Sequence, residues 1–108
     1  VEFTETIYSN IDSMFILVKQ SMKLMLHMLK DPEHARDNEI ISAYNKEREI
    51  NNYRNQLRSG NIENINNRLY PYQAGIYYMD MVANLEKTGD YIINVVDAVK
   101  EQLRIKTA

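Results

Sequence analysis

Three side chains with polar oxygen atoms, Glu86, Asp90 and Asn94, recur at four-residue steps towards the C-terminal end of the chain. On a helix, residues four apart lie on one face, so these three would form a ladder. The two carboxylates of such a ladder, Glu86 and Asp90, can hold one hard or borderline cation between them. Acidic pairs with this spacing are also common on solvated helix faces, so the spacing leaves both interpretations open.

The ladder lies in a segment whose apolar pattern predicts a long helix over about residues 70–104. A seam of alternating four- and three-residue steps runs through Tyr78, Val82, Leu85, Gly89, Ile92, Val96, Val99 and Leu103. This heptad pattern is typical of helices that pack along their length. Gly89 costs about 1 kcal/mol relative to Ala in a helix, so we expect a close approach of the facing helix there or room for a ligand.

A second predicted helix, residues 32–58, offers a further ligand. Its inner stripe is formed by Ile40, Ala43, Glu47, Ile50, Arg54 and Leu57, and two of these six positions are charged. Glu47 is the natural third ligand of a metal held by Glu86 and Asp90. Four residues on, Asn51 is a poorer metal ligand than a carboxylate.

A metal is not needed to neutralise the acidic pair. Glu86 and Asp90 lie beside the seam, where two like charges require something positive nearby. That partner is either a metal or one of three basic side chains, Lys87, Arg48 and Arg54. Glu47 has the same alternative, an ion pair with a basic residue across the bundle.

The remaining segments complete an all-α fold. Residues 4–29 predict a first helix with Thr4 as its N-cap and a stripe formed by Ile7, Ile11, Met14, Val18, Met22, Met25 and Leu29. This helix is so apolar that we expect it to be covered on more than one side. The second helix is expected to stop at Ser59 and Gly60, and the Asn-rich residues 60–69 to form a connector. Three long helices with short connections predict an antiparallel three-helix bundle of up-down-up topology.

Composition narrows the classes of function. The 108 residues fit one domain, and 13 basic against 15 acidic residues argue against nucleic-acid binding. With no Cys, no thiolate metal site or disulfide is formed, and no nucleophile motif or phosphate loop suggests an enzyme. The longest apolar run, residues 14–18, is far shorter than the ~20 residues of a membrane span. The chain starts with Val, so we expect residues 1–108 to be a domain cut from a longer protein.

The sequence from Tyr78 to Asn94 resembles a known family. Tyr78-x-Asp80 followed by Leu85-Glu86-x-x-Gly89-Asp90 and Asn94 is similar to the signature of the last helix of a PhoU-like repeat. Lys87 and Thr88 stand where that signature usually has Arg and Ile. Residues 47–54, followed by Leu57, are similar to the helix before it, and the resemblance covers one repeat, about residues 4–104.

The resemblance implies a three-helix bundle that regulates phosphate transport. Single copies form the cytoplasmic tail of bacterial sodium/phosphate cotransporters, which implies a location on the cytoplasmic side of the inner membrane and the protein's own transmembrane domain as partner. Family members bind iron or zinc clusters through acidic pairs on two helices, and Glu86, Asp90 and Glu47 match part of that set. The alternatives are a stand-alone adaptor that contacts a phosphate-signalling partner, and a helical module that forms a homodimer without any ligand.

Overall fold

Three long helices form the structure, a computed structural model that describes residues 2–107. Helix α1 spans Glu5–Lys30, α2 spans Asp37–Asn66 and α3 spans Tyr72–Thr107, with a short 3-10 turn at Pro32–His34. Each helix packs against the other two, and the short connections make them antiparallel in a rod of 57 × 18 × 18 Å. No strand occurs within residues 2–107. The predicted all-α three-helix bundle is therefore confirmed.

The first helix begins where the sequence predicts. The Thr4 hydroxyl accepts a hydrogen bond from the Ile7 backbone N–H at 3.2 Å, which satisfies one of the free amides of the first turn. Acidic Glu5 in the first turn and basic Lys30 in the last both complement the helix dipole.

The end of the second helix differs from the prediction. Helix α2 does not stop at Ser59 and Gly60 but continues to Asn66, and the connection is reduced to residues 67–71. Packing against the start of α3 outweighs the weak helix preference of Asn, because the Asn61 side chain is buried and Ile65 packs on the core. The helix ends where Arg68 adopts a positive φ of 60°.

Two glycines of this region have opposite surroundings and give a paired prediction. A Cβ at Gly60 would meet nothing within 4 Å, whereas one at Gly75 would lie 2.5 Å from Ile65 Cδ1 and 2.9 Å from Asn61 Oδ1. We expect Gly60→Ala to stabilise the fold by about 1 kcal/mol through helix propensity. We expect Gly75→Ala to destabilise the fold by about 1–2 kcal/mol, because the cost of overpacking against Ile65 and Asn61 exceeds the gain in helix propensity. Urea unfolding measures both, and equal shifts for the two variants would contradict the prediction.

Gly89, the glycine of the α3 seam, is less tightly enclosed than Gly75. A Cβ there would be 3.4 Å from Ile50 Cδ1, an ordinary contact distance. The facing helix thus approaches Gly89 through the Ile50 side chain, as one of the two interpretations of this residue expects.

The heptad seam of α3 is confirmed, and so is the predicted face of α1 except at Met22 and Leu29. Tyr78, Val82, Ile92, Val96 and Val99 are buried, with Leu85 and Leu103 packed at the edge of the core. In α1, the bundle buries Ser21 and Met28 in place of the predicted Met22 and Leu29.

The exposure of Met22 and Leu29 follows from the packing register of α1. The buried face is a heptad seam that runs through positions 7, 14, 18, 21 and 28, and positions 22 and 29 lie one residue beyond it. Within residues 2–107 the bundle leaves Met22 and Leu29 exposed, whereas the apolar content of α1 predicted cover on more than one side.

Candidate functional site

An ion pair between α2 and α3 is the centre of the polar cluster. The Arg54 guanidinium contacts the Glu86 carboxylate directly through Nη1 and Oε2, and the two side chains are 24 % and 16 % exposed. Arg54 also donates from Nε to Asn55 Oδ1 at 3.1 Å. Of the positive partners that the sequence left open for Glu86, the structure brings Arg54 to it.

The position of this pair is a consequence of the two apolar stripes. Arg54 lies four residues after Ile50 on the inner stripe of α2. Glu86 directly follows Leu85, which is a residue of the α3 seam. Packing of the apolar neighbours brings the two side chains together and shields them from water. Arg48, by contrast, is exposed and bonds to Asn45 on its own helix at 2.5 Å.

Glu47 lies in an acidic environment further along the same interface. Burial raises the pKa of its carboxyl, and the negative charges of Asp90 and Asp97 raise this pKa further. The Tyr44 hydroxyl donates a hydrogen bond to Asp97, which, with burial, raises the pKa of Tyr44 to about 12. The structure thus brings Glu47 within electrostatic reach of Asp90, while Glu86 is held by Arg54.

This arrangement does not fit the metal cluster that the family resemblance implies. Within the described part of the chain, no group of three or more His, Cys, Asp or Glu residues is arranged to hold a metal ion. The Glu86 carboxylate already forms an ion pair with the Arg54 guanidinium, which takes the place of a metal cation. The assignment of Glu47, Glu86 and Asp90 as metal ligands remains a prediction from sequence.

The acidic surroundings of Glu47 predict a pH-dependent stability. The folded chain holds the proton of this carboxyl more tightly than the unfolded chain does, so ionisation of Glu47 destabilises the fold as the pH rises from its ordinary pKa of 4.5 through the raised value. We expect Glu47→Gln to raise the melting temperature at neutral pH and to have no effect well below pH 4.5. Glu63→Gln, at an exposed position of the same helix, is the control and should leave the melting temperature unchanged at both pH values. A lowered melting temperature for Glu47→Gln at neutral pH would contradict the argument.

A second, uncharged polar cluster joins all three helices and was not expected from the sequence. Asn10 of α1 donates to the Tyr78 hydroxyl at 3.0 Å, and Tyr53 donates to Asn10 Oδ1 at 3.4 Å. Close by, the Tyr70 hydroxyl donates to Asn61 Oδ1 at 2.6 Å. Four of these residues, Asn10, Tyr53, Asn61 and Tyr78, border a cleft of about 230 Å³. The Tyr-rich and Asn-rich composition was the signal, but composition does not show which Asn meets which Tyr.

Comparison with known proteins supports one family. The model of the PhoU domain matches residues 11–99, which include the seam of α3 as far as Val99 and the Arg54–Glu86 pair. No curated protein and no solved structure matches the chain. Among residues 2–107, no helix is both long enough and apolar enough to cross a membrane.

Proposed function

The chain belongs to the PhoU domain family, and from this premise we propose that it is a regulatory domain in phosphate homeostasis. The observation that carries the proposal is the family match over residues 11–99. At the α2–α3 interface Arg54 and Glu86 use their charges in an ion pair within the fold, which agrees with a regulatory role.

The more specific proposal is that the domain regulates a sodium-dependent phosphate cotransporter from the cytoplasmic side of the inner membrane. Its support is the sequence from Leu85 to Asn94, which is similar to the signature of the last helix of a PhoU-like repeat, together with a resemblance that covers a single repeat. In this proposal the partner is the transmembrane part of the same protein. Its gene would then encode hydrophobic spans of ~20 residues besides the sequence of this chain, and a gene without them would exclude this arrangement.

The alternative is an adaptor that acts on a separate phosphate-signalling protein, and one experiment distinguishes the two. The codons of residues 1–108 are deleted in frame, and both sodium-dependent phosphate uptake and a phosphate-starvation reporter are measured. Regulation of a cotransporter predicts altered uptake that disappears when sodium is omitted. The adaptor predicts an altered reporter with sodium-dependent uptake unchanged. If neither quantity changes, the regulatory proposal is wrong in both forms.

Metal binding is tested separately from regulation. A cation bound only by the folded chain raises its stability by ~2.7 kcal/mol at a hundred times Kd. Because Arg54 already neutralises Glu86, we expect zinc or iron(III) to leave the melting temperature unchanged. A metal-dependent increase that is lost in Glu86→Ala/Asp90→Ala would instead establish the site predicted from sequence.

A further inference from the structure

The cleft between the three helices is lined mainly by groups that form hydrogen bonds. Besides the four residues of the uncharged polar cluster named above, its lining consists of Gln56, Leu57, Gly60 and Asn64. Every side chain around the cleft is therefore uncharged. Most of them are amides or phenols, which both donate and accept hydrogen bonds, and Leu57 supplies an aliphatic surface.

The packing of the fold gives no reason for a glycine at position 60. Gly60 lies inside α2, where glycine weakens a helix relative to alanine. A Cβ at Gly60 would meet nothing within 4 Å, whereas at Gly75 and Gly89 the nearest atoms are 2.5 Å and 3.4 Å away. Among residues 2–107, no neighbour therefore needs the space that Gly60 leaves open. Glycine also lets another molecule approach the backbone closely, and Gly60 faces the cleft.

The Tyr78 hydroxyl is a buried hydrogen-bond donor at the same cleft. Tyr78 is only 2 % exposed, and its oxygen accepts a hydrogen bond from Asn10 Nδ2 at 3.0 Å. Burial raises the pKa of Tyr78, so the hydroxyl keeps its proton at neutral pH. Within the described part of the chain this proton has no acceptor, and a buried donor without an acceptor is costly. An acceptor atom of a bound molecule would satisfy it.

The size and the charge of the cleft define the class of molecule that fits. Its volume of about 230 Å³ is below the ~300–1,000 Å³ of sites for drug-sized ligands, which indicates a single planar ring system. No charged side chain lines the cleft to compensate the desolvation of an ion, so phosphates, carboxylates and cations are disfavoured. A side-chain amide presents a donor beside an acceptor, and this pair matches the same pair on the edge of adenine or of another amide.

We propose that the cleft binds a planar, uncharged molecule whose edge carries a donor beside an acceptor, the chemistry of a nucleobase or an aromatic amide. The Gln56 amide, which forms no hydrogen bond within residues 2–107, pairs with that edge. The ring contacts Leu57 and lies against the backbone at Gly60, and the Tyr78 hydroxyl donates to a ring nitrogen or a carbonyl oxygen. The site is independent of the regulatory function proposed above.

Two matched pairs of probe molecules test the class of ligand. Isothermal titration calorimetry on the full chain compares adenine with purine, which lacks the amino group. It also compares nicotinamide with nicotinate, in which a charged carboxylate replaces the amide. In at least one pair we expect the first member to bind at millimolar concentration, roughly tenfold more tightly than the second. A preference for adenine assigns the cleft to a nucleobase, and a preference for nicotinamide assigns it to an aromatic amide. If neither binds, or if purine and nicotinate bind equally well, the proposal is overturned.

Substitutions locate the binding. Gly60→Met fills the cleft and improves helix propensity, so binding should be lost although the variant is at least as stable as the wild type. Gln56→Met keeps the length of an exposed side chain but removes its amide, and it should raise the Kd roughly tenfold. Ser42→Met, at an exposed position of α2 outside the cleft, is the matched control and should bind like the wild type. Circular dichroism verifies folding, and unchanged binding by folded Gly60→Met would overturn the proposal.

Discussion

Replacement of Arg54 by Met is expected to destabilise the bundle by about 3 kcal/mol. The variant keeps a long side chain on the inner stripe of α2 but leaves the Glu86 carboxylate, only 16 % exposed, without its positive partner. Breaking a buried ion pair from one side costs about 3–5 kcal/mol, and the partial exposure of Arg54 places the effect at the lower end. Urea unfolding at neutral pH measures the change.

Two further variants show whether the loss arises from the unpaired charge. In Arg54→Met/Glu86→Leu the carboxylate is removed as well, and we expect stability within about 1 kcal/mol of the wild type. Arg48→Met removes an exposed guanidinium of the same helix and should change the free energy of unfolding by less than about 0.5 kcal/mol. If Arg54→Met cost no more than Arg48→Met, the ion pair would not stabilise the fold.

The sequence predicts the helices wherever a local signal and the apolar period agree. In α3 the seam from Tyr78 to Leu103 identifies both the helix and its buried face, because a heptad specifies which residues meet a neighbour. At the start of α1 the Thr4 hydroxyl is a local signal that needs no tertiary contact. The bundle follows from these elements because each apolar face must be buried against another helix.

The prediction is wrong where a tertiary contact outweighs a local preference. Gly60 and the asparagines after it predict the end of α2, yet the helix continues because Asn61 and Ile65 pack against α3. In α1 most of the predicted stripe is buried, but packing buries Ser21 and Met28 in place of Met22 and Leu29, because the apolar residues of this helix are too numerous to show its exact register.

The candidate site shows the same division between local and tertiary information. Spacing predicts that Glu47 and Arg54 share the inner face of α2 and that Glu86 and Asp90 flank the seam of α3. The pairing of these charges depends on how far α2 is shifted along α3, which spacing within one helix does not show. In the structure this shift brings Arg54 into contact with Glu86. The same acidic motif that identifies the family therefore carries an internal ion pair in this chain.

The second large effect is expected at Asn61. Replacement by Ala removes the acceptor of the buried Tyr70 hydroxyl, which is 2.6 Å from Asn61 Oδ1, and leaves a small cavity between α2 and α3. An unsatisfied buried polar group costs about 1–3 kcal/mol. Burial raises the pKa of Tyr70 and a hydrogen bond from Asn64 lowers it, so Asn64 acts as a donor and does not replace the lost acceptor. We expect a total loss of about 2 kcal/mol, measured by urea unfolding.

Two companion variants distinguish the loss of this hydrogen bond from the loss of any asparagine in the segment. Asn66→Ala, at the exposed last residue of α2, is the matched control and should change stability by less than about 0.5 kcal/mol. In Asn61→Ala/Tyr70→Phe the hydroxyl is removed together with its acceptor, so part of the loss should be recovered. If the double variant were less stable than the single one by the full cost of Tyr70→Phe, the two side chains would be energetically independent. Coupling of the two would show that this hydrogen bond stabilises the junction between α2 and α3, because it ties the last turns of α2 to the residue that leads into α3.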